Sequence, residues 1–220
     1  SLMAVGRTLG LPVSALLTRM EEPLGRAVGN RPEIAEVVRT LRGQGPGDLV
    51  TVTLALTARM LRLAGRVRTD AEAMPQLQAA LQDGSAEARF REMVRRHGGD
   101  PAFLDDPDAM TARAGAVREV RAPVDGYVAR VDAGAIGRAS LLLGAGRAAT
   151  DDSVDPDAGL AGLPKIGEPV RRGQCLARLF AADPARIEAA HPLVESAFAF
   201  SPRPVQTEPV LIADLGVAAP

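Results

Sequence analysis

The chain has 220 residues, of which 46% are apolar and 24% are charged, the usual proportions for a globular protein with one large domain or two small ones. Its 26 basic and 27 acidic residues give a formal net charge of −1, so we expect neither nucleic acid nor an anionic membrane surface as a partner. Cys175 is the single cysteine, which excludes a disulfide or a thiolate metal cluster within one chain. No apolar run reaches the roughly 18–20 residues of a membrane span and no secretion signal is evident, which together predict a cytoplasmic protein.

Residues 1–109 are predicted to be mainly helical, with one buried strand at Val13–Thr18. That run is apolar without alternation, which is typical of a parallel strand buried on both faces. No second convincing strand follows for about 100 residues, although a parallel strand needs neighbours. The strand therefore pairs with a segment late in the chain, or its natural neighbours lie before residue 1. We also expect it to leave an exposed apolar edge that promotes association.

The helices of this first part are predicted from apolar spacing and from capping residues. Asp48 is expected to cap a helix over residues 49–64, which is apolar nearly all round and is therefore expected at a domain centre. Thr69 and Glu72 have the spacing of a capping box at the start of the next helix. Pro75 lies too deep in that helix to be without cost, which predicts a kink.

The composition changes around residues 105–116, which are rich in Asp, Pro, Ala and Gly and are predicted to form a linker. In the second part of the chain, residues 110–220, short strands dominate. Two of them, at 117–122 and 127–131, flank the turn Pro123-Val124-Asp125-Gly126, which indicates a hairpin or a corner. The other predicted elements are strands at 175–180, 197–200 and 210–215 and helices at 135–143 and 184–190. Asp183 is expected to cap the last of these helices. The predicted fold class is α/β, with an α+β C-terminal half.

Side chains suited to catalysis are few. His97 and His191 are the only histidines, and each lies near a predicted helix end, where a structural role is favoured over catalysis. No cysteine and histidine set has the spacing of a zinc site. Gly144, Gly146 and Ala149 imitate a GxGxxA dinucleotide fingerprint, but an apparent helix precedes them and an acidic, solvated loop follows. The sequence therefore predicts no catalytic residue and no bound organic cofactor.

A second interpretation comes from two segments near the end of the chain. Residues 122–131 and 167–179 have the pattern of the two halves of a biotinyl or lipoyl carrier domain. In such domains the modified lysine lies at a hairpin tip between the halves, whereas Lys165 lies immediately before the second half. The pattern therefore indicates a barrel-sandwich-hybrid architecture, and a non-catalytic binding or carrier-like module stays the alternative function.

Five segments together resemble pyrimidine-nucleoside and thymidine phosphorylases, in the order and spacing of that family. They are ALLTRMEEPLGRAVGNRPEIAEVVRTLRGQGPGDLV (15–50), FREMVRRHGGDP (90–101), APVDGYV (122–128), IGRASLLLGAGR (136–147) and GEPVRRGQCLARL (167–179). The resemblance extends over about residues 3–217 and concerns only the C-terminal part of the family. It implies the helical remainder of a large α/β domain over 1–109, a C-terminal hybrid barrel over 110–220, and usually a homodimer.

The resemblance implies a pentosyltransferase of nucleoside salvage, in which phosphate attacks the anomeric carbon of a pyrimidine nucleoside. The products are the free base and a pentose 1-phosphate. Such a reaction needs donors that cradle phosphate and cations that stabilise the departing base. In the family, a glycine-rich Lys/Ser/Thr loop cradles the phosphate, and a His, an Arg, and a Ser and Lys on one helix stabilise the departing base. This sequence contains none of these motifs. We therefore expect a truncated, C-terminal part that is inactive alone, unless another chain completes its site.

One site of the family does map onto this sequence. Some members bind a monovalent cation, potassium, that rigidifies the phosphate loop, and the matching ligands are the backbone carbonyls of Leu24 and Ala27 and the carboxylate of Glu36. Hard oxygen ligands around a glycine-rich loop suit such an ion. Glu36 also has a purely structural explanation, because an acidic residue is favoured near a helix N-terminus. Since the remaining ligands would lie upstream, we expect weak ion occupancy or none, and no required cofactor.

Overall fold

Helices occupy most of the first half of the chain and short strands most of the second half. The computed structural model describes residues 2–111, 113–147 and 149–218. Its helices are α1 (Leu2–Thr8), α2 (Asn30–Leu41), α3 (Gly47–Leu63), α4 (Asp70–Gln82), α5 (Ser85–Arg96), α6 (Ala133–Leu143) and α7 (Pro184–Ser196), with short 3-10 turns at Pro101–Leu104 and Ala109–Thr111. The fold is mixed α/β, as predicted.

The strands form three antiparallel sheets. The strands are β1 (Val13–Thr18), β2 (Ala27–Val28), β3 (Ala116–Arg121), β4 (Gly126–Val131), β5 (Gly159–Ala161), β6 (Pro169–Val170), β7 (Cys175–Ala181), β8 (Phe198–Ser201) and β9 (Leu211–Ala218). One sheet pairs β1 with β9, a second has the order β2-β5-β7-β3, and a third has the order β6-β4-β8. Two pairings therefore join the two halves of the chain, β1 with β9 and β2 with β5.

The hydrophobic core lies between the two larger sheets and the helices α6 and α7. Each of these helices buries residues at helical spacing, Ile136 and Leu143 on α6 and Ile187 and Val194 on α7. The largest side chains with no exposed surface in this cluster are Val128, Val131, Ile136, Leu143, Leu160, Leu179 and Val194. The first half of the chain has few buried residues by comparison, so the second half contains most of the apolar burial that stabilises the fold.

The strand predicted at Val13–Thr18 has those bounds, but the expectation of a parallel strand buried on both faces is wrong. It pairs antiparallel with β9, so the alternative of a partner late in the chain is confirmed. A two-stranded sheet has an open edge on each side, so its residues are only partly buried, and Leu17, Ile212 and Leu215 are 48%, 52% and 54% exposed. The association that such an edge promotes stays a prediction.

The long helix α3 differs from its prediction in two ways. It begins at Gly47 with Pro46 as its N-cap, so Asp48 lies inside the first turn and does not cap it. Its carboxylate instead accepts a hydrogen bond from the backbone N–H of Gly25 at 3.0 Å. The helix is also not buried all round, because it packs against α4 and β1 on one side and leaves Leu56 and Met60 exposed on another.

The predicted caps of α4 and α7 are observed, while the predicted end of α7 is wrong. Thr69 accepts a hydrogen bond from the N–H of Glu72, and α4 continues unbroken past Pro75, where the kink stays a prediction. Asp183 caps α7 as predicted, but that helix runs through Pro192 to Ser196 instead of ending near residue 190. The buried apolar residues Ile187, Ala190 and Val194 are spaced along one face and hold the helix across the proline.

The turn Pro123-Val124-Asp125-Gly126 is a corner, since β3 and β4 belong to different sheets. Gly126 has a φ of +153°, and a Cβ there would lie 2.5 Å from the carbonyl oxygen of Ser201. The chain can turn this corner closely only because the residue is glycine. The neighbouring segment, expected to be an open linker, contains the short turn Ala109–Thr111, which packs on α2 and buries Met110.

In the helical half of the chain, the carboxylate of Glu87 joins two helices. Glu87 of α5 pairs with Arg42 at the end of α2 and with Arg91 one turn along α5, at 3.0 and 2.8 Å. The hydrogen bond from Arg42 lowers the pKa of Glu87 most; burial opposes it, Arg91 adds to it, and the pKa falls to about 2. Glu87 therefore stabilises the folded state as an anion.

We expect Glu87→Gln to reduce the free energy of unfolding by about 1–2 kcal/mol at neutral pH. The folded pKa lies below the ordinary value of 4.5, so this contribution is complete above pH 4.5 and is lost as the pH falls through about 2. Urea unfolding of the natural chain and of Glu87→Gln between pH 7 and pH 2 measures this contribution. Glu188→Gln is the control, because the Glu188 side chain is 68% exposed; an equal pH dependence in both variants would contradict the prediction.

Candidate functional site

The three residues predicted to bind a cation lie at one loop, between β1 and α2. Glu36 is in the second turn of α2, and its carboxylate accepts the backbone N–H of Arg26 at 2.9 and 3.2 Å, with a further hydrogen bond from the N–H of Ala27. Gly25 has a φ of +72°, and a Cβ on it would lie 2.1 Å from Glu36 Oε2. The loop therefore folds closely around this carboxylate because residue 25 is glycine.

Burial raises the pKa of Glu36 above its ordinary value, and the negative charge of Asp48 raises it further. The N–H groups of Arg26 and Ala27 and the positive charge of Lys165 oppose this shift but do not cancel it. An acidic group in such surroundings favours either a proton or a nearby cation. The donor set of a carboxylate and loop carbonyls is thus chemically suited to a monovalent ion.

A positive charge is already present at this loop, on the side chain of Lys165. Its ammonium donates to the backbone carbonyl oxygens of Pro23 and of Gly25, the second at 3.1 Å, and to the Asp48 carboxylate at 2.7 Å. Glu22 Oε2 lies 3.7 Å from the same nitrogen. The two carbonyls are not those of Leu24 and Ala27, so Lys165 binds the loop next to the predicted ion ligands.

The carboxylate of Asp48 is held as an anion by these contacts. Its burial alone raises its pKa, but the hydrogen bond and charge of Lys165, together with the N–H groups of Gly25 and Leu49, outweigh burial, and the pKa lies below the ordinary value. Asp48 Oδ1 is buried without a hydrogen-bond partner among the residues that the structure describes. The sequence prediction of Asp48 as a helix cap therefore missed its place in this cluster.

Further contacts fix the loop to the C-terminal half of the chain. Arg26 pairs with Glu168 through the two terminal nitrogens of its guanidinium and also donates to the carbonyl of Leu163 at 3.2 Å. The N–H of Ile166 donates to Glu22 at 2.9 Å. We call this set, Glu22, Arg26, Asp48, Lys165 and Glu168, the loop clamp. It joins the loop, the start of α3 and the segment before β6 into one charged cluster.

Two cavities border the loop clamp. One of about 340 Å³ is lined by clamp residues together with Arg19 and Thr207, and the other, of about 460 Å³, lies on the Glu36 side and is lined by Arg39 and Arg178 among others. Neither cavity is lined by a histidine. Within the described part of the chain, no group of three or more His, Cys, Asp or Glu residues is placed to hold a metal ion.

The other residues considered from sequence lie apart from this cluster. His97 is exposed at the end of α5, with Nδ1 2.8 Å from the carbonyl of Met93. His191 lies inside α7, not near its end, with Nδ1 3.5 Å from Glu195 Oε2. Gly144 ends α6 with a φ of +106°, so the GxGxxA pattern follows a helix and lacks the context of a dinucleotide site, as its neighbours in sequence indicated.

Comparison with known proteins gives two kinds of match. Residues 127–201 match the pyrimidine nucleoside phosphorylase C-terminal domain family. The chain is 35% identical over 180 residues to a pyrimidine-nucleoside phosphorylase of Geobacillus stearothermophilus and 35% identical over 181 residues to one of Bacillus subtilis (strain 168). Each alignment covers 82% of this chain. Over most of its length the chain is thus similar to the C-terminal part of pyrimidine-nucleoside phosphorylases.

The chain spans only about two fifths of the length of these relatives, 41% and 42% of the two sequences. The matched domain contains α6, β5, β6, β7, α7, β8, all of β4 except Gly126, and most of the core. It includes Lys165 and Glu168 of the loop clamp. The family resemblance seen in the sequence motifs is thus confirmed. Among the described residues, no helix is both long and apolar enough to cross a membrane.

The loop clamp was missed by sequence reasoning, although one signal for it was present. Lys165 is the only lysine in a chain whose other basic residues, apart from the two histidines, are all arginine. An ammonium is a compact charge with three donors, while a guanidinium is a planar fork, so a lysine kept in an arginine-rich chain indicates a site shaped for a compact cation. The residues that it would contact lie far away in sequence, and the sequence does not identify them.

Proposed function

We propose that this chain is a part of a pyrimidine-nucleoside phosphorylase and has no phosphorolytic activity alone. In the intact enzyme, phosphate would attack the anomeric carbon of a pyrimidine nucleoside to give the base and a pentose 1-phosphate. The observation that carries the proposal is the 35% identity to such enzymes over 82% of this chain, together with the matched C-terminal domain. The substrates, the reaction and the homodimer expected from the family all belong to the whole enzyme.

The surroundings of the described residues support the proposal of inactivity. Phosphorolysis needs donors aimed at phosphate and a cation or acid at the departing base, brought together around one pocket. Of the four arginines beside the two loop cavities, three pair with carboxylates: Arg19 with Glu22, Arg26 with Glu168 and Arg39 with Asp108. The fourth, Arg178, lies over the ring of Phe180 at 5.8 Å. The two histidines lie on α7 and at the end of α5, on different elements. What this part contributes instead is a rigid loop held by the loop clamp.

The direct test is to incubate the purified chain with uridine or thymidine and inorganic phosphate and to follow base release by chromatography. We expect no release above the enzyme-free control, with the Bacillus subtilis relative as the positive control. Clear turnover that scales with the concentration of the chain would contradict the proposal. Adding the segment of that relative which lies outside the match tests whether a second polypeptide completes the site.

The carrier-like alternative is disfavoured by the position of Lys165. A carrier lysine must be reachable by the enzyme that modifies it, whereas the Lys165 side chain is 14% exposed and its ammonium contacts the loop and Asp48. Mass spectrometry that found biotin or lipoate on Lys165 would nonetheless favour the carrier over the phosphorylase part. A cytoplasmic location and the absence of nucleic-acid and membrane partners stay predictions from the sequence.

We propose that the cation site is complete only in the whole enzyme. Leu24 and Ala27 would contribute backbone carbonyls and Glu36 its carboxylate, with the remaining ligands supplied from elsewhere. Support comes from the partly buried carboxylate of Glu36, around which a glycine-containing loop folds. In this chain alone we expect weak occupancy, because the ion would have to bind beside the ammonium of Lys165, which repels a second cation.

A further inference from the structure

The ammonium of Lys165 has a complete set of partners. It carries three N–H donors and no acceptor, and three oxygen acceptors surround it: the carbonyls of Pro23 and Gly25 and the carboxylate of Asp48. Since its side chain is 14% exposed, few of these contacts are shared with solvent. A buried charge is tolerated in proteins when it is paired and fully hydrogen-bonded in this way.

The acidic groups around this ammonium require a positive charge. Asp48 and Glu22 have side chains only 17% and 10% exposed, and Glu36 carries a raised pKa because of burial and the charge of Asp48. Arg19 pairs with Glu22 at 2.9 Å and Arg26 pairs with Glu168, so the ammonium of Lys165 is the cation in direct contact with Asp48. Removing the ammonium would leave an uncompensated carboxylate in a partly buried place, which is strongly unfavourable.

Two backbone carbonyls and a carboxylate are also the kind of ligands that a free monovalent or hard divalent cation takes. We infer that Lys165 is a tethered cation: it supplies, from the C-terminal half of the chain, the positive charge that orders the Pro23–Ala27 loop without a free ion. Lys165 thus acts as a positioning residue for the loop. The same geometry assigns a latent cation site to the place of the ammonium, formed by Pro23, Gly25 and Asp48, which a free ion can enter when the ammonium is removed.

The test compares thermal unfolding in potassium chloride and in choline chloride at equal ionic strength, because choline is too large to replace an ammonium among these oxygens. For the natural chain we expect nearly the same Tm in both salts, because ion occupancy beside the ammonium is weak. Lys165→Met keeps the apolar stem and removes the charge, and its Tm should fall by roughly 5–10 °C in choline chloride. Potassium chloride should restore part of that loss.

Arg68→Met is the matched control, since it also removes one positive charge but from a side chain that is 93% exposed; its Tm should follow that of the natural chain in both salts. Asp48→Asn combined with Lys165→Met removes the uncompensated carboxylate as well. That double variant should be more stable than Lys165→Met in choline chloride and should not respond to potassium. It keeps the test decisive if Lys165→Met alone fails to fold.

Three results would overturn the inference. The first is a natural chain whose Tm rises in potassium chloride by as much as that of Lys165→Met, since its loop would then use a free ion even with the ammonium in place. The second is a Lys165→Met variant that is as stable as Arg68→Met in choline chloride. The third is a double variant no more stable than Lys165→Met. None of these measurements depends on phosphorolysis, so the proposed function and this inference fail or stand separately.

Discussion

Replacing Gly159 by alanine is expected to lower the free energy of unfolding by about 3 kcal/mol or more. Gly159 has a φ of +146°, and a Cβ there would lie 2.3 Å from the carbonyl oxygen of Val28 and 3.1 Å from the Cα of Gly29. Both neighbours are backbone atoms, so no side-chain rotation relieves the clash. The strands β2 and β5 would have to separate, and with them the contact between the loop region and the four-stranded sheet.

The measurement is urea unfolding followed by circular dichroism, with Gly162→Ala as the matched control. Gly162 lies in the same segment and has a φ of +82°, but a Cβ on it would meet nothing within 4 Å. Gly162→Ala should therefore lower the free energy of unfolding by only about 1 kcal/mol, from backbone conformation alone. If both variants lost the same amount, the close approach of Gly159 to Val28 would not explain the effect.

A comparable loss is expected from Leu179→Ala, about 3–5 kcal/mol. Leu179 has no exposed surface and lies in β7 at the centre of the four-stranded sheet, opposite Leu160 of β5 and Arg118 of β3. Truncation removes buried methyl groups and leaves a cavity that cannot close, because β7 is hydrogen-bonded to β5 on one side and to β3 on the other.

Leu142→Ala is the matched control for this second substitution. Leu142 lies on α6 and is 44% exposed, so the same chemical change removes little buried area and favours the helix. Its free energy of unfolding should change by less than about 1 kcal/mol. Similar losses in the two variants would mean that the core between the sheets and the helices α6 and α7 does not dominate stability.

The helices and the longer strands could be predicted from sequence because their signals are local. Thr69 and Asp183 are capping residues whose side chains act within three or four positions, and both cap the helices that the sequence indicated. The strand at Val13–Thr18 is bounded as predicted because its apolar run is long enough to recognise. Its partner, β9, lies at the other end of the chain, and the sequence left that choice open.

The shorter strands and the end of α7 could not be predicted in the same way. β2, β5 and β6 have only two or three residues, which is too short for an alternating pattern to appear. The sequence predicts an end of α7 near residue 190, but the buried face of the helix holds it across Pro192 to Ser196. Likewise, α3 is apolar nearly all round, and only the packing of the described residues decided which of its faces is exposed.

The sequence by itself determined the family resemblance, the mixed α/β class and most helix starts, since motifs and capping residues act over short stretches of chain. It also determined that a single lysine is present among the arginines. Only the tertiary structure decided that Lys165 contacts Pro23, Gly25 and Asp48. It also decided that Asp48 belongs to this cluster and is not the N-cap of α3. The physical reason is that the partners of a charge depend on proximity and burial. Residues so distant in sequence come within hydrogen-bonding distance through the fold, which no local pattern encodes.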